Sequence, residues 1–497
     1  MEKNVLYFLS WTAAVGMLLF GANVSTHAQE FRTESDLLGP IQVPSGAFYG
    51  VQTVRAQDNF PISQMMISNY PQYIKALALV KKAAAETNHD LGVLPSDIHQ
   101  AILKACDEVL TGKYNDQFSV NMYQGGAGTS TNMVINEVVA NIANFQAGKS
   151  LGKYEWVTPN DHVNMSQSTN DFIPTSIKVA LLMMSKDMKV ELKALRNAFF
   201  DLGQKHIDNL KMGRTEYQDA VPMTSGQEFH SFAAALEWEY GNIEAAEKSL
   251  MVINMGATAI GTQINAPMDF PPTCANHLSE ITGFDFVPAN DLIAGTWNLH
   301  PFVVYSSALK SLAITLTKIS RDLMFLSSGP RNGIYELKLP ERQPGSSIMP
   351  GKVNPVMPEV LHQVCFRVIA NDLAVTLSAE NGMLQLNAYE PLVASATFES
   401  QELFTNVFKV FREKCVEGII VNSNITQQHI NTTVGIVTSL VPVIGYKKSS
   451  EIAAEAYHSG KGVLEVIREK KILTEKEIEK LLDPVTMTNL RKENYKK

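Results

Sequence analysis

Ser176–Leu202 runs SIKVALLMMSKDMKVELKALRNAFFDL, without a glycine or proline. Apolar residues recur along it at steps of three and four: Ile177, Leu181, Met184, Met188, Leu192, Leu195, Phe199 and Leu202. That spacing lays them along one stripe of a helix roughly 40 Å long at ~1.5 Å per residue. Further long stretches follow. Glu228–Met251 is interrupted only by Gly241, and Phe302–Ser328 has no breaker. Glu359–Asn381 follows Pro358, a residue suited to a first helical turn. Glu390–Val421 is expected to be helical as well. Successive helices of this length bury their stripes by packing side by side as a bundle. No βαβ alternation accompanies them, which argues against a Rossmann or barrel fold. The prediction is a mainly α protein built on a long-helix bundle. Because such helices extend past one small core, apolar faces are expected to be buried against other subunits.

Around this centre, residues 31–168 are Gly- and Pro-punctuated with helical pieces such as Tyr73–Thr87, and read as an N-terminal mixed helical domain. Residues 169–424 make the central bundle domain. Residues 425–497 form a small C-terminal helical domain with shorter stretches at Ser449–Tyr457 and Thr474–Leu482. A chain of 497 residues suits three domains. With 45% apolar and 19% charged residues, general disorder is excluded. Lys and Arg number 42 against 50 Asp and Glu, a net charge of −8, with no basic run. A nucleic-acid partner is therefore not expected. Cys106, Cys274, Cys365 and Cys415 stand alone, without CxxC or HExxH spacing, so no metal site is expected. They are expected to be buried thiols.

Met1–Ala28 has the pattern of a cleavable export signal. Lys3 is followed by an uncharged stretch from Asn4 to Ala22, and Thr26-His27-Ala28 precedes Gln29 as a small-x-Ala cleavage site. The alternatives are a membrane anchor, since the stretch is near the ~18 residues that span a bilayer, and a mis-assigned start codon. Export predicts a periplasmic or otherwise exported protein without a stable membrane partner after cleavage. A segment that does not work as a signal predicts a cytoplasmic one.

Four polar segments interrupt the helices. Gln124–Ser130 (QGGAGTS) is a Gly-rich turn whose amides can face an anion. Ser166–Asp171 (SQSTND) precedes the central helix, where free N–H groups attract carboxylates, although such residues are also ordinary caps. Gly213–Asp219 (GRTEYQD) is a polar turn between long helices. Gly345–Pro355 (GSSIMPGKVNP) is a long loop of Gly, Pro and Ser with a cation and an amide near its end. It falls short of a phosphate loop: the Gly-to-Gly-Lys spacing is one too long, and Val353 stands where Ser or Thr would bind magnesium.

GSSIMPGKVNP resembles the signature loop of the aspartase/fumarase superfamily of lyases. The other three segments resemble that superfamily's remaining site segments, in the same order. Gly213–Met223 (GRTEYQDAVPM), Gln363–Thr376 (QVCFRVIANDLAVT) and Leu384–Pro391 (LQLNAYEP) are more similar to the aspartate ammonia-lyase branch than to class II fumarases, which tend to carry Lys where this chain has Glu390. The Ala-Ser-Gly triplet of the aromatic amino-acid ammonia-lyases is missing, and no organic cofactor is implied. The resemblance implies three domains, with five long central helices that combine in a homotetramer into a twenty-helix core. It also implies active sites shared between three chains.

The implied reaction is elimination of ammonia from L-aspartate to give fumarate through an enediolate. By resemblance Ser346 is the base. Ser347, Thr129, Ser168 and Thr169 hold the carboxylate that becomes the enediolate, Lys352 and Asn354 hold the other carboxylate, and Asn170 and Thr215 orient the amino group. Glu216 departs from the His or Gln that relatives carry beside this Thr, and its role is left open. It would attract a substrate ammonium, or else turn away and pair with Arg214. Two other readings stand beside this one: a class II fumarase, and an exported, catalytically idle binding protein.

Overall fold

The computed structural model describes residues 30–345 and 347–495. The expected export signal and Ser346 lie outside the described residues.

The chain opens with an antiparallel hairpin, β1 (Phe31–Asp36) and β2 (Gly39–Pro44). Helices α1 (Val51–Asn59), α2 (Pro71–Asp90), α3 (Ser96–Leu110) and α4 (Thr129–Gln146) follow. The central helix α5 spans Thr169–Lys205. A second hairpin, β3 (Leu210–Thr215) and β4 (Gln218–Thr224), leads into α6 (Ser225–Leu250). Short elements come next: β5 (Val252–Ile253), α7 (Phe270–Thr282), β6 (Val287–Pro288) and α8 (Leu292–Trp297). Then come α9 (His300–Leu326), β7 (Leu337–Lys338), α10 (Val356–Glu380), α11 (Glu390–Lys414) and β8 (Ile420–Val421). The tail holds α12 (Ser423–Thr432), α13 (Val437–Ile444), α14 (Tyr446–Ser459), α15 (Val463–Glu469), α16 (Glu475–Leu481) and α17 (Pro484–Thr488).

The start of α5 shows how the sequence sets the architecture. Ser168 caps it: its Oγ accepts from Asn170 N, and Asp171 Oδ1 accepts from Ser168 N at 2.9 Å. The helix therefore begins seven residues before the breaker-free stretch and takes Pro174 inside it, where a start after proline was expected. Proline has no N–H, so the Asn170 carbonyl loses its helical donor. Asn254 Nδ2 replaces it at 3.1 Å. Along the predicted stripe Ile177, Leu181, Met188, Leu192, Leu195, Phe199 and Leu202 are buried, and Met184 is half-buried.

Helices α5, α6, α9, α10 and α11 form the bundle. Buried polar ties fix their register. Glu247 of α6 takes Ser185 Oγ at 2.6 Å and Lys189 Nζ at 2.7 Å from α5. Asp372 of α10 takes Ser306 Oγ at 2.8 Å and Lys310 Nζ at 2.6 Å from α9. The expected helix over Glu390–Val421 stops at Lys414 instead. Cys415 leaves helical geometry, and Ile420–Val421 pair with Leu337–Lys338. A strand partner supplied by the fold overrides local helix preference there.

One apolar core extends from α1 to β8. A second gathers Leu210 and Met212 of β3 with Ile430, Ile436, Leu464 and Ile467, so the tail packs on the second hairpin. All four cysteines are buried free thiols, as the sequence predicts, and burial pushes each thiol up to about 12. Such thiols are unreactive at neutral pH.

Candidate active site

The first two polar segments meet. Gly128 sits at φ 90°, a left-handed conformation natural to glycine, and a Cβ there would lie 3.0 Å from Ile173 of α5. This close approach brings the start of α4 beside the start of α5. Thr129 opens α4, exposed, with its Oγ1 donating to Gly126 O at 2.8 Å. Ser168, Thr169 and Asn170 open α5, half-buried, and Asn132 Nδ2 donates to Thr169 Oγ1 at 3.4 Å. Asn170 Nδ2 donates to Ala259 O at 2.7 Å, which commits its amide nitrogen and not its Oδ1. Two neighbouring helix N-termini with hydroxyl side chains favour a carboxylate.

A buried lysine lies beneath them. Lys81 Nζ donates to Asn132 Oδ1 at 2.9 Å, and to Asn164 Oδ1 and Gln167 Oε1 at 3.0 Å, 3.7 Å from the centre of the Phe172 ring. Burial lowers its pKa well below the ordinary lysine value, against the charge of Asp171. Asp171 accepts from the N–H groups of Ser168, Gly256 and Thr258. Burial nonetheless pushes its carboxyl up to about 7.

The third segment is the tip of the β3–β4 hairpin. Thr215 pairs with Gln218 across a two-residue turn, Glu216–Tyr217, with φ of 54° and 63°. Asn-Gly is the usual occupant of such a turn, so two non-glycine residues hold it at some cost in strain. The Tyr217 ring stands 5.1 Å from that of Phe325. Thr215 and Glu216 are exposed. The alternative pairing of Glu216 with Arg214 is not formed. Arg214 turns to buried Glu336 at 2.7 Å and to Asp219 at 3.7 Å.

The fourth segment leaves and re-enters through a narrow neck. A Cβ at Gly345 would collide with the carbonyl oxygen of Lys352, which explains glycine there. Ser347 and Lys352 are exposed and Asn354 is half-buried. Among the described residues Lys352 Nζ has no carboxylate partner. A cavity of about 400 Å³ opens beside the loop, lined by Ser327, Ser328, Tyr335, Lys338, Lys352 and Asn354 among others.

The four segments thus fall at two ends of the bundle. The first and second lie at the start of α5. The third follows its far end, ~55 Å away for a 37-residue helix. The fourth shares that far end, because α9 finishes with Phe325 against Tyr217 and continues into Ser327 and Ser328 beside the loop. One chain does not gather all four.

Sequence reasoning missed three buried groups. Lys81 had a usable signal, since it interrupts the apolar face of α2 between Leu77 and Ala84, both buried. Glu336 had none, being a single acid in a short extended piece. Glu390 stands out in the sequence only as a marker of branch. It is buried, neither carboxylate oxygen has a hydrogen-bond partner among the described residues, and burial raises its pKa well above the usual range, against the Lys178 charge.

A helical bundle with hydroxyl-bearing helix starts at one end and a Gly-Ser-Lys loop at the other defines a class of lyase. The sequence profile of the lyase family matches residues 39–370, and that of the fumarase C C-terminus matches residues 436–489. The chain belongs to the aspartase/fumarase superfamily. It is 49% identical over 457 residues to the aspartate ammonia-lyase of Pseudomonas aeruginosa, covering 92% of this chain and 96% of that one. The crystal structure of a fumarate lyase:delta crystallin from Brucella melitensis, bound to cobalt, superposes with a TM-score of 0.89 at 44% identity, covering 92% of this chain and 99% of that one. A class II fumarase from Schistosoma mansoni superposes with a TM-score of 0.87 at 32% identity, with the same coverages.

Proposed function

We propose that this protein is an aspartate ammonia-lyase, eliminating ammonia from L-aspartate to give fumarate. The observation that carries the reading is near-full-length identity of 49% to an aspartate ammonia-lyase, against 32% to a class II fumarase. The sequence at the four segments supports it.

The difficult step is removal of a weakly acidic proton from the carbon beside a carboxylate. The resulting enediolate needs preformed donors. Ser346 takes that proton as an alkoxide, and a serine does so only where neighbouring dipoles stabilise its anion. Thr129, Ser168 and Thr169, at the two adjoining helix starts, together with Ser347, hold the carboxylate on which charge accumulates. Lys352 and Asn354 bind the second carboxylate by charge and hydrogen bonding. Thr215 and the Asn170 Oδ1 face the amino group, and Glu216 at the hairpin tip adds a carboxylate for its positive charge. Closure of the Gly345–Pro355 loop excludes water as the groups converge.

A site of this composition requires several copies, because one chain holds its parts at opposite ends of α5. We infer a homotetramer. The surface of α10 supports it: Phe366, Leu373 and Leu377 share one side of the helix and are 56%, 58% and 49% exposed. α9 and α10 are long and apolar enough to cross a membrane by composition alone. Their charged ties through Asp372, and the bare stripe on α10, fit a subunit interface instead. Export of the chain rests on Met1–Ala28 alone. N-terminal sequencing of the mature protein is expected to begin at Gln29, and a retained N-terminus would leave a cytoplasmic enzyme or one held by an uncleaved anchor, which membrane fractionation separates.

Incubation with L-aspartate is expected to release fumarate and ammonia in equal amounts. Dehydration of malate without aspartate turnover would make the protein a fumarase, and no turnover of either would leave it an idle binding protein.

A further inference from the structure

Glu336 lies immediately before β7 with its side chain 1% exposed. Its Oε1 accepts from Arg214 Nη2 at 2.7 Å and from His429 Nδ1 of α12 at 2.8 Å. Its Oε2 stands 3.0 Å from Lys211 Nζ, which also donates to both oxygens of Glu228 at 2.9 and 2.7 Å. The backbone is fastened as well. Glu336 O accepts from Asn422 N at 2.9 Å, and Tyr335 O accepts from Asn422 Nδ2 at 2.7 Å. A second tie joins the same units, with Thr433 Oγ1 donating to Asp219 on β4 at 2.8 Å. One carboxylate therefore joins three parts of the molecule: the β3–β4 hairpin, the strand that leads toward the Gly345–Pro355 loop, and the C-terminal helices.

Arg214 and Thr215 are neighbours on β3, and successive strand residues face opposite sides. Holding Arg214 inward on Glu336 turns Thr215 outward. Beyond them the tip has the Tyr217 ring packed on Phe325, but Thr215, Glu216, Tyr217 and Gln218 are all exposed and the turn is strained. We propose that Glu336 is a positioning residue for the elimination. Acting through Arg214, it sets the hairpin tip so that Thr215 meets the substrate's amino end, and through His429 it makes that setting depend on the C-terminal helices. The role requires charge, not shape alone. A glutamine of the same size leaves Lys211 and Arg214 buried without their counter-ion.

The proposal rests on the aspartase reading and extends it to a residue outside the four segments. Its test compares wild type with Glu336→Gln, Glu336→Asp and His429→Gln, each checked for tetramer formation. Measured for each are kcat and KM for L-aspartate, and the inhibition constant of succinate, a dicarboxylate without an amino group. Displacement of a positioning group by an ångström costs up to about 100-fold. Glu336→Gln is therefore expected to lower kcat/KM for aspartate by about 10- to 100-fold while leaving succinate inhibition within about twofold. Glu336→Asp, which restores the charge, recovers part of the loss. His429→Gln keeps the buried ion pairs and is expected to lose about three- to tenfold in the same direction. Equal loss of aspartate turnover and succinate binding would reduce Glu336 to a merely structural group and overturn the proposal. Should Glu336→Gln fail to assemble, His429→Gln decides, and unchanged kinetics there overturn it. Wild type that does not consume aspartate overturns the aspartase reading and this inference together, whereas active wild type with unaltered variants overturns this inference alone.

Discussion

A serine hydroxyl ionises far above neutral pH, so the base role proposed for Ser346 requires surroundings that stabilise the alkoxide. Replacing it with alanine removes the base and little else. Ser346→Ala is expected to lower kcat by about 10²–10⁴-fold or more, with succinate binding retained in a direct titration. Retained turnover would dismiss the serine. Lys352 carries a different kind of work. Its ammonium is exposed and free of carboxylate partners among the described residues, as the substrate-binding role proposed for it requires. Lys352→Ala is expected to raise KM for aspartate by about 10- to 100-fold, in line with ~1.5–3 kcal/mol for a charged hydrogen bond. An unchanged KM would contradict the role. Arg214 shows what sequence conceals at this scale. Its nearest acid in the chain is Glu216, yet its partner is Glu336, more than a hundred residues away, and the pairing exists only after the hairpin has docked.

Periodicity makes long helices legible. The apolar stripe of α5 appears in the sequence and is buried almost throughout, and α6, α9 and α10 lie close to their expected spans. Ends were less legible, because they answer to tertiary partners. α5 continues through Pro174 because Asn254, far along the chain, satisfies the freed carbonyl. α11 stops at Lys414 because β7 offers a strand partner. Asn254→Ala would take this donor from the part-buried Asn170 carbonyl, and also deprive Thr296 Oγ1 of one. It is expected to cost about 1–3 kcal/mol, read as a lower thermal midpoint. An unchanged midpoint would show that Pro174 needs no such support. On α10 the exposed Phe366 and Leu373 mark the face that the proposed homotetramer covers with another copy. Leu373→Asp is expected to shift the protein to smaller species in sedimentation and to abolish turnover, and a fully active tetramer would rule that face out.

At the scale of the molecule, the ion pairs about Glu336 bind the tail to the bundle and give stability a pH dependence. Burial alone would raise this carboxyl. The Lys211 charge and the hydrogen bonds from Arg214 and His429 outweigh burial and hold it at about 2. A carboxylate depressed in the folded state contributes stability that is complete above its unfolded value near 4.5 and is lost as pH falls toward 2. The contribution is roughly 3 kcal/mol at neutral pH. The stability gap between wild type and Glu336→Gln, from denaturant unfolding, is therefore expected to be constant from pH 7 to about 5 and to close below it. A gap of the same size at pH 3 would contradict the assignment. The same scale explains why the site was only partly readable. The four segments were visible as polar interruptions, but their separation by the length of α5 is a property of the folded chain.

That separation permits a direct test of the whole account. Ser346→Ala disables the loop end of the bundle and Asn170→Ala disables the helix-start end, so each homotetramer alone should be nearly inactive on L-aspartate. Unfolded together and reassembled, the two should form hybrids in which some sites draw every intact segment from different chains. Fumarate release from the mixture well above the sum of the two separate preparations is the predicted result. A mixture no more active than its parts, once hybrid tetramers are demonstrated, would contradict a shared site.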